Sequence, residues 1–540
     1  MSTTDAPTSS TAAGHPGAST TPPAPPASRA KQGDPWLTLI AVSLGVMMVA
    51  LDGTVVGVAN PTIQRDLNAS LAGLQWITNG YLLALAVLLI LGGKLGDRYG
   101  RRKMYIAGIV GFALFSLGCA LSTSTGMLIA FRVLQGFAGA LLMPNTLAIL
   151  RAAFPEDKLN QAVGIWGATS ALAVASGPII GGLLVEHVSW ESIFLINLPL
   201  GIVAALFSFR YVKESRESAQ AGGFDYPGVV LLAGGLFSLI WGIIKSQERG
   251  WDSAYVLGFI IGGLVVLGLF AAWEARSKDP LLPLDVFRSR AVSAGTVLVI
   301  VGFLALFGIL FFIGLYLQNT HGYSPVQTGV RMLPLTATFV VSAPLGGLLT
   351  ERFGARPTVI LGMLLLIAAF LGLSGLQVDT AYSGQWPYFL MIGFAFGLII
   401  VSTTEAIVGN ISVERGGVGG GLQSTANQLG GVIGTALFGS IIVSSVSGSL
   451  GDELAAAGVQ GDAAQAVLAN KEIVGQGIAP VSRDMPAQLA DAITAASHAS
   501  FMEGLQTAMY VGAGLAAVSV FLALFITEGR KLDAHEKAAH

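Results

Sequence analysis

Long apolar runs separated by short polar turns set the pattern of this chain. A helix needs about 20 mostly apolar residues to cross the hydrocarbon of a bilayer. Stretches that meet this need lie near 36–58, 76–93, 104–123, 127–149, 162–185, 192–212, 226–245, 254–273, 292–317, 326–349, 357–376, 387–409, 417–446 and 500–527. The pattern therefore predicts an all-α integral membrane protein with fourteen spans. One connection, 447–499, is long, Ala-rich and mildly acidic. It suits a solvated cap or short amphipathic helices. Residues 1–35 are rich in Pro, Ser, Thr and Ala and carry no apolar core, which predicts a disordered tail. They lack the basic start, apolar stretch and cleavage site of a signal peptide. A second tail is expected at 528–540.

Composition agrees with the pattern. Only 11% of the 540 residues are charged, where a soluble protein has about 25%. Hydrophobic residues make up 53%, and the mean hydropathy is +0.70. The 70 glycines suit close packing between membrane helices. A net charge of −2 gives no reason to expect a nucleic-acid partner. Cys119 is the single cysteine, and the six histidines lie in tails, loops or at helix ends without metal-ligand spacing. No metal, disulfide framework or cofactor is expected. The chain has no Gly-x-x-x-x-Gly-Lys-Ser/Thr phosphate loop, so ATP does not drive it directly. No cluster of His, Asp or Ser at membrane depth suggests an enzyme.

Charge then orients the spans. An even number of spans places both termini on one side. If that side is the cytoplasm, the segments facing outward hold five of the 29 Lys and Arg: Arg65, Lys245, Arg249, Lys471 and Arg483. Arg132 and Arg331 lie inside spans, and the other 22 face the cytoplasm. Basic loops stay inside, so both termini are expected in the cytoplasm.

The chain also repeats. Gly92-Gly93-Lys94-Leu95-Gly96-Asp97-Arg98-Tyr99-Gly100-Arg101-Arg102 recurs 254 residues later as Gly346-Gly347-Leu348-Leu349-Thr350-Glu351-Arg352-Phe353-Gly354-Ala355-Arg356. Topology signalling needs basic residues, but not an acid beside an Arg with glycines at fixed places. The repeat predicts two six-helix halves, 36–212 and 281–527, with two extra central helices in 213–280. Duplicated halves around a midplane site are a transporter architecture.

These motifs resemble the major facilitator superfamily, and within it the fourteen-helix drug/proton antiporter branch (EmrB/QacA type). The likeness runs from about Trp36 to Thr527. Gly93 to Lys103 fits the superfamily's cytoplasmic signature after the second span. Leu51-Asp52-Gly53-Thr54-Val55-Val56 resembles the branch's first-span motif. Its usual continuation, Asn-Val-Ala-Leu-Pro, is replaced here by Gly57-Val58-Ala59-Asn60-Pro61. Arg132-Val133-Leu134-Gln135-Gly136 matches the fourth-span signature, and Ala175 to Gly182 matches the fifth-span motif of antiporters. Trp190 and Phe194 to Pro199 also look like this branch. The resemblance implies a major facilitator fold, proton coupling through Asp52 and Arg132, and a leak-preventing seal at Gly177, Pro178, Gly181 and Gly182. A packing kink alone would also use such a Pro.

Asp52 stands out on physical grounds as well. It lies about sixteen residues into an ascending helix, roughly 24 Å up at 1.5 Å per residue. A charged acid at membrane depth costs about 2.5–3.5 kcal/mol or more unless paired or protonated. Arg132 enters a descending helix from the outer face and reaches an overlapping depth. Gln135, nearly one turn deeper, extends the polar path or bonds a neighbouring helix. In the second half Asp52 maps to Leu306, and Arg132 maps to Phe389 when Gly136 is set against Gly393. The first half is therefore expected to handle protons, and the second to supply an apolar wall. Glu405, in the inner part of the twelfth span, suits cation attraction or a second proton site equally well, and also suits headgroup water. The loop residues Gly93, Asp97, Arg98, Gly100, Arg101 and Arg102 are expected to latch the halves, with Asp97 meeting a helix start near Gly416. Asn79, Tyr81, Gln135, Asn145, Gln318, Asn427 and Gln428 are candidate cavity groups, each equally suited to an interhelical hydrogen bond; Trp76 and Phe311 are candidate pocket aromatics. The sequence thus reads as a proton-coupled exporter of hydrophobic or cationic drugs in a bacterial inner membrane. The same fold also serves a dedicated exporter of one natural product, amino acid or lipid.

Overall fold

A computed structural model describes residues 34–215, 225–411, 416–482 and 485–526. Both expected tails lie outside the described residues, apart from Asp34 and Pro35. Fourteen helices are long and apolar enough to span a membrane: α1 Pro35–Leu67, α2 Leu71–Tyr99, α3 Arg101–Ala120, α4 Thr125–Ala153, α5 Gln161–His187, α6 Ser192–Tyr211, α7 Tyr226–Arg249, α8 Ala254–Glu274, α9 Arg290–Thr320, α10 Pro325–Phe353, α11 Ala355–Leu373, α12 Tyr382–Val408, α13 Gly419–Ala456 and α14 Ala487–Ala523. No strand occurs among the described residues. A bilayer supplies no water for backbone groups, so each span must satisfy its own. Side chains finish the job at several starts: Ser70 Oγ accepts from Gly73 N, Ser124 Oγ from Met127 N, and Asp225 Oδ1 from Gly228 N.

The helices pack as two similar sets of six. α2 packs on α4, α3 on α4, α1 on α5, and α3 on α6. The second set repeats this as α10 on α12, α11 on α12, α9 on α13, and α11 on α14. Gly100 and Gly354, equivalent in the repeat, both hold positive φ, +113° and +94°, where an L side chain is strained. The sets meet along two related seams, α2 against α13 and α5 against α10. The extra helices α7 and α8 pair with each other, and α7 lies across the α2–α13 seam. The protein thus has the two six-helix halves and two added central helices.

One end of the bundle carries the loop Lys94–Lys103 and is called the basic end; the opposite end is the far end. Both seams are tight at the far end. A Cβ added at Gly182 would lie 2.5 Å from the Pro325 carbonyl oxygen, so α5 and α10 touch there backbone to backbone. Across the other seam, Gln75 Nε2 donates to Thr435 O (2.8 Å) and Gln247 Nε2 donates to Gln75 Oε1 (2.8 Å). Ser246 and Ser440 exchange a further hydroxyl bond.

The structure corrects the extent of the long connection. α13 continues to Ala456 and α14 begins at Ala487, so helix takes up much of 447–499. The rest holds helices Gly461–Ala469 and Lys471–Val474. Val459, Val467 and Val474 are buried there, and Asn319 Nδ2 donates to Gln476 O (2.8 Å). Alanine favours helix wherever it lies. A search for apolar windows stops at the hydrocarbon edge and misses such extensions.

Candidate functional site

Asp52 and Arg132 meet in the first half with almost no exposure, at 1% each. Arg132 Nη1 donates to Asp52 Oδ2 at 2.5 Å. The remaining bonds make the pair part of a network. Gln135 Nε2 donates to Asp52 Oδ1 (2.9 Å) and to Ser116 Oγ (2.7 Å). Asn197 Nδ2 donates to Asp52 Oδ1 (3.1 Å) and to Ser116 Oγ (3.2 Å). Arg132 also donates from Nη1 to Gln135 Oε1 (2.6 Å) and from Nε to Ile77 O (3.1 Å). Its guanidinium lies 4.1 Å from the Tyr81 ring centroid and 5.7 Å from that of Phe194. Five helices thus share one polar network around this carboxylate, and two of them donate to it directly. Taking two charges out of water costs several kcal/mol per ion and is offset only when geometry and additional hydrogen bonds are good, as they are here.

Local structure explains the convergence. Arg132 and Gln135 stand three apart on α4 and so share a face. α6 is broken at Ile196, between the short turn Ser192–Leu195 and the helix Asn197–Tyr211. The break sets Asn197 at the start of the second piece, pointing at Asp52. Pro199 has no N–H to donate, so it fits this restart.

Beside the network lies a cavity that is not closed off; the space it outlines, open solvent included, is about 780 Å³. The first half contributes Gly53, Thr54, Gly57, Thr78, Tyr81, Arg132 and Pro178. The second contributes Leu306, Phe307, Leu310, Phe311, Phe339 and Phe396, with Thr336 and Thr435. The cavity is central, between the halves, and its second-half wall is almost wholly apolar.

Residues 42–435 match the Major Facilitator Superfamily. The chain belongs to this superfamily. It is 43% identical, over 94% of both chains, to the tetracenomycin C resistance and export protein of Streptomyces glaucescens. It is 34% identical, over 77% of both chains, to the multidrug resistance protein Stp of Mycobacterium tuberculosis. Among solved structures, it shares its fold with a bacterial homologue of the human lysosomal transporter Spinster, at a TM-score of 0.62 and 17% identity, covering 91% of this chain and 96% of that one. The fourteen spans fit the superfamily's fourteen-helix branch. This is a multi-pass membrane transporter and not an enzyme.

The superfamily motifs can now be placed. On α5, Gly177 and Gly181 lie against Thr54 and Val55 of α1. Gly182 faces Pro325, and the Pro178 carbonyl faces Gly329, both on α10. This glycine-proline motif therefore sits between its own α1 and the other half, at the tight far end. Gly93 lies against Pro144, and the rest of the loop docks on its own half and the linker. Asp97 pairs with Arg101 (2.7 Å), Arg102 N donates to Glu214 Oε1 (3.1 Å), and Arg101 N donates to Ser215 O (3.1 Å). Lys94 Nζ donates to Pro280 O (3.2 Å), ahead of α9. Arg98 stacks beside Tyr99, its guanidinium 5.8 Å from the ring centroid. The segment just before Gly416, where Asp97 was expected to reach, lies outside the described residues.

Of the cavity candidates, Tyr81 lines the wall, its hydroxyl donating to Val49 O (3.4 Å), and Gln135 joins the ionic network. The structure turns the others elsewhere. Asn79 Oδ1 accepts from Thr435 Oγ1 (2.5 Å), tying α2 to α13. Asn145 Nδ2 donates to Gly92 O (3.2 Å), tying α4 to α2. Gln318 sits at the far end of α9, in the wide turn Tyr316–Thr320, and donates to Val58 O (2.9 Å). Asn427 and Gln428 are half-buried on α13, and neither lines the cavity. Phe311 lines the cavity, whereas Trp76 packs against Phe237 and Trp241 of α7. Glu405 is exposed in the last turn of α12 and takes no part in the Asp52 network. Ser116 and Asn197 were not singled out as site residues. Asn197 carried a signal, being a polar residue within the Phe194–Pro199 motif; Ser116 carried none.

Proposed function

We propose that this chain is a proton-coupled exporter of hydrophobic or cationic drugs, working by alternating access. The observation that carries the reading is the Asp52–Arg132 network set beside a central apolar cavity. With Asp52 charged, Arg132, Gln135 and Asn197 all donate to it. A proton on Asp52 removes the acceptor charge and leaves Arg132 without its counter-ion at 1% exposure. Breaking one side of a buried pair costs about 3–5 kcal/mol. That penalty supplies a motive for α1 and α4 to shift, and with them the far-end contacts through Gly177 and Gly182. One proton moving through 100 mV yields about 2.3 kcal/mol, to which the pH difference adds.

Positive-inside asymmetry supports placing the basic end and both termini in the cytoplasm of a bacterial plasma membrane. The far end, tight in this structure, then faces outward. The test is reconstitution with an imposed pH gradient, following drug movement in wild type and Asp52→Asn. Gradient-driven accumulation that is lost in the variant supports the reading; accumulation that persists in the variant rules out Asp52 as the coupling acid.

A second reading has its own support. The 43% identical relative is named for a single compound, tetracenomycin C. A dedicated exporter of one natural product would move one chemical family and leave a panel of unrelated drugs behind.

A further inference from the structure

The walls of the central cavity differ in kind. On the second half, Phe307, Phe311, Phe339 and Phe396 present ring faces and edges; Phe339 and Phe396 have centroids 5.1 Å apart at 51°. Aromatic rings reward another ring stacked or edged against them by about 0.5–1.5 kcal/mol per pair. On the first half, Gly53 and Gly57 stand one turn apart on α1 and both line the cavity. A Cβ added at either would meet nothing within 4 Å. The wall there is bare backbone facing open space, with Gly57 standing where the branch motif carries Asn.

Charge narrows the occupant further. Among the described residues no carboxylate lines the cavity, and its charged lining group is Arg132. Asp52 stands behind that guanidinium with both oxygens engaged. The other acid considered for cations, Glu405, is exposed on α12 and lines no part of the cavity. A permanent cation here would lose its water, find no counter-charge and meet Arg132. Three wall hydroxyls spend their hydrogens within the protein: Thr54 on Leu51 O (3.2 Å), Tyr81 on Val49 O and Thr435 on Asn79 Oδ1. Their lone pairs remain for a ligand hydroxyl. Arg132 uses Nε and Nη1 in the network, which leaves Nη2 for a ligand carbonyl.

We infer that the cavity binds an uncharged, flat, polycyclic aromatic molecule bearing hydroxyl or carbonyl groups, between the phenylalanine wall and the glycine strip, and that it disfavours permanent cations. The inference narrows the export reading and rests on the central cavity being the substrate site. A Cβ at Gly57 meets nothing within 4 Å, so Gly57→Leu extends a side chain into the open space, where it blocks the ligand.

The test measures equilibrium binding to the purified full chain in detergent at pH 7. The probes are 1-hydroxyanthraquinone, uncharged, and ethidium, a cation of similar flatness. The expected result is a Kd at least about tenfold lower for the quinone, weakened at least about tenfold by Gly57→Leu with an unchanged melting temperature. Ethidium binding as tightly as the quinone overturns the inference. So does quinone binding no tighter than about 100 μM, or binding that Gly57→Leu leaves intact. Transport in proteoliposomes separates the two levels. A bound quinone that no proton gradient moves sinks the coupled-export reading and leaves the cavity assignment standing. Gradient-driven export of other solutes without quinone binding sinks the cavity assignment alone.

Discussion

The two halves share a shape and not a chemistry. Their helices pack in the same pattern, and the loops after α2 and α10 both turn on a glycine at positive φ. Yet where the first half buries Asp52 and Arg132 as an ion pair, the second has Leu306 on the cavity wall and Phe389 in its core. Helix packing in a bilayer depends on small residues and close fit, so a duplicated frame keeps those. Burying charge is expensive wherever it occurs. One ionic site suffices for the proposed coupling, and a second would add cost without need. The comparison teaches that frame and chemistry are separable within one chain.

The comparison can be broken or sharpened by substitution. The largest effect is expected from Asp52→Asn, with gradient-driven transport reduced at least about 100-fold, matching the loss of a hydrogen-bonded charge of about 3 kcal/mol; a pH-gradient flux assay reads it. Arg132→Ala strands Asp52 and should cost about 3–5 kcal/mol of stability, seen as a lower melting temperature as well as lost flux. Arg132→Lys should recover little, because a point charge cannot supply the same fork of donors. Next is Asn197→Ala, which removes one donor to Asp52; a fall in flux of about tenfold with normal expression is expected. Gly182→Leu drives a side chain into the Pro325 carbonyl and should slow transport by wedging the α5–α10 seam, measurable as a lower rate at unchanged ligand affinity. The smallest effect belongs to Glu405→Gln, expected to alter flux less than about twofold as an exposed group with weak screened interactions. Abolished coupling in that variant would end the division of labour between the halves.

Much of the frame was legible because a span must be long and apolar, and that demand is written residue by residue. Asp52 and Arg132 were legible for the opposite reason, since charge at membrane depth is rare. Asn197 and Ser116 were harder. Neutral polar groups cost little singly, and most bond a neighbouring helix, as Asn79 and Asn145 do here. Nothing in an isolated span says which neighbour it will meet. The seating of α7 across α2 and α13 was invisible for that reason, since its apolar surface suits lipid as well as protein. The helical ends of α13 and α14 escaped because they continue past the hydrocarbon.

The added pair α7–α8 breaks the symmetry of the bundle at its edge. One seam, α2–α13, lies under α7 and is stitched by Gln75, Gln247, Ser246 and Ser440. Among the described residues its counterpart, α5–α10, carries no such peripheral pair. The two junctions between the halves therefore present different faces to the bilayer, one roofed by a helix pair and one not, a handedness that the internal repeat alone would not give.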